Sequence, residues 1–327
     1  GNVLNVMNTD LLTLNHFYLD ANTHISEIKP FLPKGTLKPS ANHLGKIQLS
    51  GLLNGDLKKM KFQNLVLHTQ GELDAKLNGQ VENILKTDKL KYQLDIHHFT
   101  TGSKDLRAFM DTLPSQIKEL KTATYSGKVS GDLYKYDVDG ILKSNLGDIT
   151  ADLLVKMNKN YTHAIYKGDV KVAQLDLQKI LQNDSLGKLN AQIDIDGQGM
   201  NLEDLNAQVD LLVNNVTFNS YNYENISVNG KIESQIFEGK IASEDPNIYF
   251  NIDGKANLND TFPSAQVLGE INNLDLYALH LLPYPLKVQM KIDADIKGYK
   301  VDDILGYASI KDIVLENTAN GQTFIVN

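Results

Sequence analysis

The ten residues 288–297 read Val-Gln-Met-Lys-Ile-Asp-Ala-Asp-Ile-Lys, a strict alternation of apolar and polar side chains. Because successive side chains of a β-strand point to opposite faces of the sheet, this pattern predicts a strand with one apolar face and one polar face. The same alternation recurs in residues 189–196 and 248–252, and in 148–155, where only Leu154 breaks it. Strands of this kind are typical of antiparallel sheets with one face in water, so the sequence predicts an all-β, antiparallel fold.

The apolar side chains of these four stretches are our candidate site residues, because together they would form one continuous, mostly aliphatic surface. Such a surface can be the closed core of a sandwich or barrel, or it can stay open as a groove for a hydrophobic ligand. Both alternatives stay open at the level of sequence. The candidates are Ile149, Ala151, Leu153, Val155, Leu189, Ala191, Ile193, Ile195, Ile248, Phe250, Ile252, Val288, Met290, Ile292, Ala294 and Ile296.

Turns and helices are predicted between the strands. Asn-Gly and Asp-Gly pairs are typical of two-residue hairpin turns, and they predict turns at 53–56, 139–140, 229–230 and 253–254. Short helices are predicted at four places, each with a Ser or Asp that could cap the N-terminus and with apolar residues three and four apart. These helices lie at 26–33, 103–113, 175–181 and 274–282.

The predicted helices mark an internal repeat. Its last two copies align at a constant offset of 99 residues (274 − 175), which pairs Leu175 with Leu274, Ile193 with Ile292, Gly199 with Gly298 and Asp204 with Asp303. We therefore interpret 1–327 as one continuous repetitive β domain. Its repeat units are approximately 26–104, 105–175, 176–274 and 275–327.

Composition excludes several classes of function. The 327 residues carry a net charge of −8, which disfavours binding to nucleic acid. There is no Cys, so thiol catalysis and thiolate metal sites are excluded. No apolar run reaches the ~20 residues that span a bilayer. The chain begins at Gly1 without Met, and we expect it to be a piece of a longer protein.

Motifs of catalysis and metal binding are weak. His97 and His98 are adjacent, so on a strand they would point to opposite faces and could not bind one ion together. The pairs Asp194/Asp196 and Asp293/Asp295 could serve a glycoside hydrolase if they converged in a cleft, but they also fit the polar side of an alternating strand. We predict no enzyme activity and no cofactor or metal.

One further set of motifs carries a resemblance. Residues 99–282 resemble the TamB family, within the AsmA-like group of Gram-negative envelope proteins. No single motif is specific, but their order and spacing together are. They are the segments 103–106 (Ser-Lys-Asp-Leu), 125–131 (Tyr-Ser-Gly-Lys-Val-Ser-Gly), 145–153 (Asn-Leu-Gly-Asp-Ile-Thr-Ala-Asp-Leu), 166–168 (Tyr-Lys-Gly), 175–177 (Leu-Asp-Leu), 221–226 (Tyr-Asn-Tyr-Glu-Asn-Ile), 237–241 (Phe-Glu-Gly-Lys-Ile) and 245–247 (Asp-Pro-Asn).

This resemblance implies an elongated antiparallel sheet curled into a U-shaped, taco-like hydrophobic groove. It implies a periplasmic segment of a protein that is anchored to the inner membrane through a region absent from this chain. The implied function is phospholipid transport between inner and outer membranes, with acyl chains in the groove. The alternative is a scaffold for the translocation or assembly of outer-membrane proteins with a TamA-type barrel partner, which would be contacted through regions absent from this chain. As a scaffold, the chain could also recruit partner strands by strand addition at an open sheet edge.

Overall fold

The computed structural model describes residues 13–29, 37–109, 114–257, 263–298 and 305–326. These residues form eighteen antiparallel β-strands and a few short helices. The predicted all-β, antiparallel fold with few helices is therefore confirmed. The chain divides into two compact units, one up to Lys159 with Lys179–Leu181, the other formed by Asn160–Gln178 and Gln182 onward. The prediction of a single continuous domain stays a prediction.

The first unit is an open antiparallel meander in which each strand pairs with the next along the chain. Its strands are β1 (Thr13–His24), β2 (Lys46–Asp56), β3 (Lys59–Thr69), β4 (Asp74–Glu82), β5 (Lys91–Gly102), β6 (Thr122–Asp132), β7 (Lys135–Ser144) and β8 (Gly147–Met157).

The second unit repeats this design with ten strands, again paired in chain order. They are β9 (Ala164–Asp176), β10 (Leu186–Gln198), β11 (Asn206–Phe218), β12 (Tyr221–Glu233), β13 (Ile236–Asp245), β14 (Ile248–Asn257), β15 (Ser264–Asp275), β16 (Lys287–Lys297), β17 (Leu305–Asn317) and β18 (Gln322–Val326).

Helices form at three of the four predicted places and are shorter than predicted. They are α1 (Ile25–Ile28), α2 (Ser103–Leu106) and α3 (Leu177–Leu181), with 3₁₀ turns at Pro39–Leu44, Thr87–Lys89 and Ser115–Ile117. Residues 30–33 and 110–113 of the first two predicted helices lie outside the described residues. The fourth prediction was wrong: Leu274 and Asp275 end β15, and a hydrogen-bonded turn follows.

Small hydrophobic clusters form where the helical segments meet the strands of the first unit. Ile25, the first residue of α1, is buried with Leu44, Leu73 and Ala108. Its helix begins with a capping box, in which the His24 ring accepts from the Ser26 backbone and Glu27 accepts from the His24 backbone. The helical segments thus cover apolar side chains at one end of the strands, because Ile47, Leu67 and Phe99 belong to β2, β3 and β5.

The turns predicted at 139–140, 229–230 and 253–254 were wrong, because all three lie inside strands. The prediction at 53–56 falls on the last residues of β2, and the turn itself follows at 57–58. Gly140 of β7 pairs with Gly127 of β6, and a Cβ at Gly140 would come within 2.4 Å of the Tyr125 hydroxyl. Gly230 pairs with Gly239, and a Cβ at Gly230 would come within 2.8 Å of the Phe237 ring. These glycines therefore make room for an aromatic ring that lies across the sheet.

Asp side chains close several of the real turns. The Asp56 carboxylate accepts from the backbone N–H groups of Lys58 and Lys59, at 2.8 Å each. The Asp132 carboxylate accepts in the same way from the backbone of Tyr134 and Lys135. This is the Asx-turn, in which a carboxylate replaces a backbone acceptor.

The offset of 99 residues is visible in the second unit. β11 begins at Asn206 and β17 at Leu305 (305 − 206 = 99), and both have 13 residues. The ion pair of Lys188 with Asp176, at 3.3 Å, has its counterpart 99 residues later in Lys287 with Asp275, at 3.9 Å. β9–β11 and β15–β17 are therefore two copies of one structural unit, which we call the first copy and the second copy.

Candidate functional site

The strand register of the second unit aligns apolar residues in a row across nine strands. Directly paired residues of antiparallel strands point to the same face, so the row lies on one face. Ile193 of β10 pairs with Val170 of β9 and with Leu211 of β11, and the pairing continues strand by strand to β17. The complete row is Val170, Ile193, Leu211, Val228, Ile241, Ile252, Gly269, Ile292 and Ile310.

Parallel rows extend this surface, which we call the apolar face. One such row contains small residues: Gly168, Ile195, Val209, Gly230, Gly239, Gly254, Val267, Ala294 and Ala308. Phe237 partly fills the space over its central glycines, because a Cβ at Gly239 would come within 3.0 Å of the ring. The apolar face therefore combines a row of large aliphatic side chains with a neighbouring row that is mostly small.

The first unit has a corresponding apolar face. Leu153 of β8 pairs with Val138, which pairs with Val129 and so on across the unit. The row reads Phe17, Leu53, Phe62, Gly79, Leu94, Val129, Val138 and Leu153. Ile149, Ala151 and Val155 belong to neighbouring rows of the same face.

Burial distinguishes these faces from a closed core. Of the sixteen candidate residues, Ala191 and Ala294 are buried and the other fourteen are half-buried. The fully packed interior of a sandwich would bury large aliphatic side chains such as Ile193 and Ile292. The described hydrophobic clusters of buried residues instead lie at the helical segments of the first unit.

The opposite face of the second unit is mainly polar, and several of its carboxylates are paired. Asp196 accepts from Lys167 at 2.6 Å, Asp293 accepts from the hydroxyl of Tyr307 at 2.9 Å, and Asp295 accepts from Gln266 at 3.0 Å. An open cavity of about 780 Å³ lies on this face and is lined by positively charged lysines and negatively charged carboxylates. The Asp-x-Asp pairs thus belong to a solvated network across the strands.

The histidines of the first unit contact separate partners. His97 lies 2.9 Å from the Asn78 amide, whereas His98 lies 2.5 Å from Asp74, which also lies 2.7 Å from His68. The hydrogen bond from His68 lowers the pKa of Asp74, against the opposing effect of burial, with a further contribution from His98. Within the described residues, no group of three His, Asp or Glu side chains could hold a metal ion.

A buried carboxylate in the second unit was not predicted from the sequence. The side chain of Asp245 accepts from the Tyr221 hydroxyl at 2.6 Å and from the backbone of Glu224, Asn247 and Ile248. Burial raises the pKa of Tyr221 to about 12, and the hydrogen bond to Asp245 acts in the same direction. The Asp-Pro-Asn segment at 245–247 was noted only as a family motif, although Asp before Pro is a turn signal.

An exposed apolar turn was also not predicted. Residues 276–286, which we call the apolar turn, connect β15 to β16 and were assigned mostly to a helix. Tyr277, Leu281 and Tyr284 are each more than half exposed. The sequence signal was available, because this stretch contains no Asp, Glu, Lys or Arg.

Comparison with known proteins finds no match among protein-family models, curated proteins or solved structures. The resemblance to the TamB family therefore stays a prediction. Among the helices that the structure describes, none has the length and apolar character needed to cross a membrane.

Proposed function

We propose that this chain binds phospholipid acyl chains on its apolar faces, which curve into a U-shaped groove, and is a periplasmic segment of an envelope protein that moves phospholipid between inner and outer membranes. The observation that supports the proposal is the continuous, half-exposed aliphatic face that the strand register builds in each unit. Monomeric soluble proteins rarely leave large contiguous apolar surfaces in water unless those surfaces bind something.

The dimensions suit a lipid chain. Neighbouring strands lie ~4.8 Å apart, so the nine-strand row of the second unit extends for about 38 Å along the sheet. One acyl chain accounts for about half of a bilayer core that is ~30 Å thick, so it fits within this row. Transfer of each CH₂ from water to an apolar surface contributes up to about 0.8 kcal/mol, which needs no directional partner on the protein.

The polar faces fit the same role. Their paired carboxylates and lysines keep that side of the sheet in water, and no described metal site or convergent carboxylate pair supports an enzyme. We propose that the chain is not an enzyme and needs no cofactor. Anchoring to the inner membrane would then be supplied by a region outside this chain.

The neighbouring residues Leu211 and Leu212 of β11 give the experiment that tests the proposal. Leu211 lies in the apolar row, whereas Leu212 pairs with Gln192 and Ser227 on the polar face and is 38% exposed. A photo-crosslinking amino acid is placed at each position in turn, in the full chain expressed in a Gram-negative host. We expect phospholipid adducts by mass spectrometry from position 211 and not from position 212.

Two substitutions provide a second readout. Ile193→Asp and Ile292→Asp place a charge in the same row, and the matched Leu212→Asp places it on the polar face. We expect the first two variants to lose co-purifying phospholipid and Leu212→Asp to retain it, with all three folded by circular dichroism. Equal adducts from positions 211 and 212, or none from either, would contradict the proposal.

The alternative, a scaffold that assists outer-membrane protein assembly with a TamA-type partner, is supported by one observation. The five residues of β18 are all exposed, although the strand contains Phe324, Ile325 and Val326. An exposed apolar strand can pair with a strand of another chain. Retention of lipid binding by a variant that lacks binding to the barrel partner would separate the two functions.

A further inference from the structure

The apolar turn exposes three large side chains at one end of the second unit. Residues 276–286 read Leu-Tyr-Ala-Leu-His-Leu-Leu-Pro-Tyr-Pro-Leu. Tyr277 is 54% exposed, and Leu281 and Tyr284 are each 55% exposed. Eleven consecutive residues without an acidic residue, Lys or Arg are unusual at a surface connection, where polar residues are the rule.

The first copy of the repeat provides an internal reference for this turn. The corresponding connection, residues 177–187, places Gln178, Gln182 and Ser185 where the second copy has Tyr277, Leu281 and Tyr284. All three of these polar residues are exposed. The connection between the strands therefore does not require large apolar residues at these positions.

Two features of the connection are shared by both copies, although the first copy forms helix α3 and the second forms a hydrogen-bonded turn. Leu279 is buried at 2% exposure, and its counterpart Ile180 is also apolar and half-buried. The Asp275–Lys287 ion pair at the base of the turn matches Asp176–Lys188. The inner apolar position and the Asp–Lys pair thus have the same type of residue in both copies, whereas the three exposed positions differ.

The turn is an ordered surface. Leu279 donates its backbone N–H to Asp275 O at 3.0 Å, and Ala278 donates its own to the Asp275 carboxylate at 2.9 Å. The His280 ring meets Tyr221 edge-on, with centroids 6.5 Å apart, which packs the turn against the start of β12. The outward side chains are therefore presented on a supported backbone, beside a cavity of about 510 Å³.

We propose that the apolar turn docks this chain onto the interface of a lipid bilayer. Tyr and Leu suit that location, because the Tyr ring is apolar while its hydroxyl stays at the headgroups. A protein partner fits less well, because a standard interface uses about 20–30 residues on each side and the turn offers only a handful. This inference does not depend on lipid binding by the apolar faces, since the turn would dock whether or not they carry lipid.

The lack of charged residues in the turn predicts the charge of the membranes to which it would dock. The Asp275 and Lys287 side chains at its base are paired with each other, at 3.9 Å. Docking then depends on apolar insertion and not on attraction to anionic headgroups, so it should occur on zwitterionic vesicles and persist at high salt.

The absence of Trp from the chain allows a clean test. Tyr277→Trp makes a chain with one Trp in the apolar turn, and Gln178→Trp makes the matched control in the first copy. Both full chains are mixed with phosphatidylcholine vesicles. We expect a blue shift of Trp emission, and quenching by brominated acyl chains, for Tyr277→Trp and not for Gln178→Trp.

A triple variant then tests the requirement for the apolar side chains. Tyr277→Gln, Leu281→Gln and Tyr284→Ser together install the residues that the first copy has at these three exposed positions. We expect the triple variant to partition to phosphatidylcholine vesicles about tenfold or more weakly than the parent in a flotation assay, since each lost apolar insertion weakens partitioning. Its circular dichroism and urea midpoint should match those of the parent.

Each contrary result has a definite meaning. No emission shift for Tyr277→Trp, an equal shift for Gln178→Trp, or unchanged flotation of the triple variant would overturn the proposal. A blue shift that needs no vesicles and grows with protein concentration would assign the turn to a protein contact, which also overturns it. Crosslinking of phospholipid at Leu211 can succeed or fail in either case, so the two proposals are tested separately.

Discussion

The two copies of the repeat in the second unit have the same strands but different supports for the connection that follows their first strand. β9–β11 and β15–β17 keep the 99-residue offset and the Asp–Lys pair. In the first copy, Ile180 belongs to the segment Lys179–Leu181, which groups with the first unit, and it packs against a cluster that includes Leu120 and Leu146. In the second copy, His280 contacts Tyr221, which Asp245 holds through a hydrogen bond.

The comparison of the two copies shows at which positions of the connection the fold requires a particular type of residue. The connection needs an apolar residue on its inner side and an ion pair at its base, and both copies supply them. The outer side is less restricted: the second copy exposes Tyr277, Leu281 and Tyr284 where the first copy has polar residues, and the first copy exposes Leu181 where the second has His280. A repeated unit therefore separates structural from functional residues without any relatives, because each copy is the control for the other.

The largest expected effect is a loss of stability when the inner residue of a connection, Leu279 or Ile180, is replaced by Asp. Leu279 is 2% exposed, so Leu279→Asp places a charge where water cannot reach it, whereas Ile180 is half-buried and an Asp there keeps partial hydration. We expect Leu279→Asp to lower the free energy of unfolding by about 4 kcal/mol or more. Ile180→Asp should cost clearly less, as measured by urea denaturation followed by circular dichroism.

Equal losses in the two variants would contradict this comparison, because they would show that the connections are supported alike. The conservative pair Leu279→Met and Ile180→Met provides the control. Both keep an apolar side chain of similar volume and should each cost below about 1.5 kcal/mol.

Much of the fold could be predicted from periodicity alone. Period-two alternation placed each of its four stretches on an observed strand, because strand geometry fixes which side chains share a face. The constant offset between Leu175 and Leu274 corresponds to two copies of the same strands. Alternation also placed Ile193 and Ile292 on the apolar faces of their strands, whereas their common row follows only from the pairing of each strand with the next, from β10 to β16.

The errors have a common physical cause, which is long-range packing. Gly140 and Gly230 follow Asp or Asn, as in hairpin turns, yet each lies inside a strand close to an aromatic side chain. Local sequence cannot show that Tyr125 or Phe237 will lie across a neighbouring strand. The Asp245 network was missed for the same reason, because its partner Tyr221 begins the preceding strand, 24 residues earlier in the chain.

A smaller effect is expected from the network beneath the second connection. Asp245 is 1% exposed and accepts from the Tyr221 hydroxyl and three backbone N–H groups, so Asp245→Ala leaves buried donors without an acceptor. We expect a loss of about 3 kcal/mol in the free energy of unfolding. The control Asp253→Ala removes an exposed carboxylate from the adjacent strand and should change stability by no more than about 0.5 kcal/mol.

If the loss of stability in Asp245→Ala is confined to the second-copy connection, the two connections have separate supports. Hydrogen exchange should increase around 219–224 and 276–286 in Asp245→Ala, while the first-copy connection at 177–187 keeps its protection, since Ile180 rests on apolar side chains. An increase at both connections would show that they share one support.

The smallest expected effect is a pH dependence of stability that arises from the Tyr221 hydroxyl, beneath the connection of the second copy. Burial, and then the hydrogen bond to Asp245, raise the pKa of Tyr221 to about 12, whereas an unfolded Tyr titrates near ~10. The folded chain therefore holds this proton more tightly than the unfolded chain. The resulting stabilisation is fully present below pH ~10 and is lost as the pH rises toward about 12.

Tyr221→Phe isolates this contribution from that of the other tyrosines. The variant has no hydroxyl to titrate, so its stability should fall less steeply than that of the parent between pH 10 and 12, as measured by urea midpoints at each pH. Parallel pH profiles for parent and variant would mean that the Tyr221 proton does not stabilise the fold, and that the packing of the ring against His280 alone supports the apolar turn.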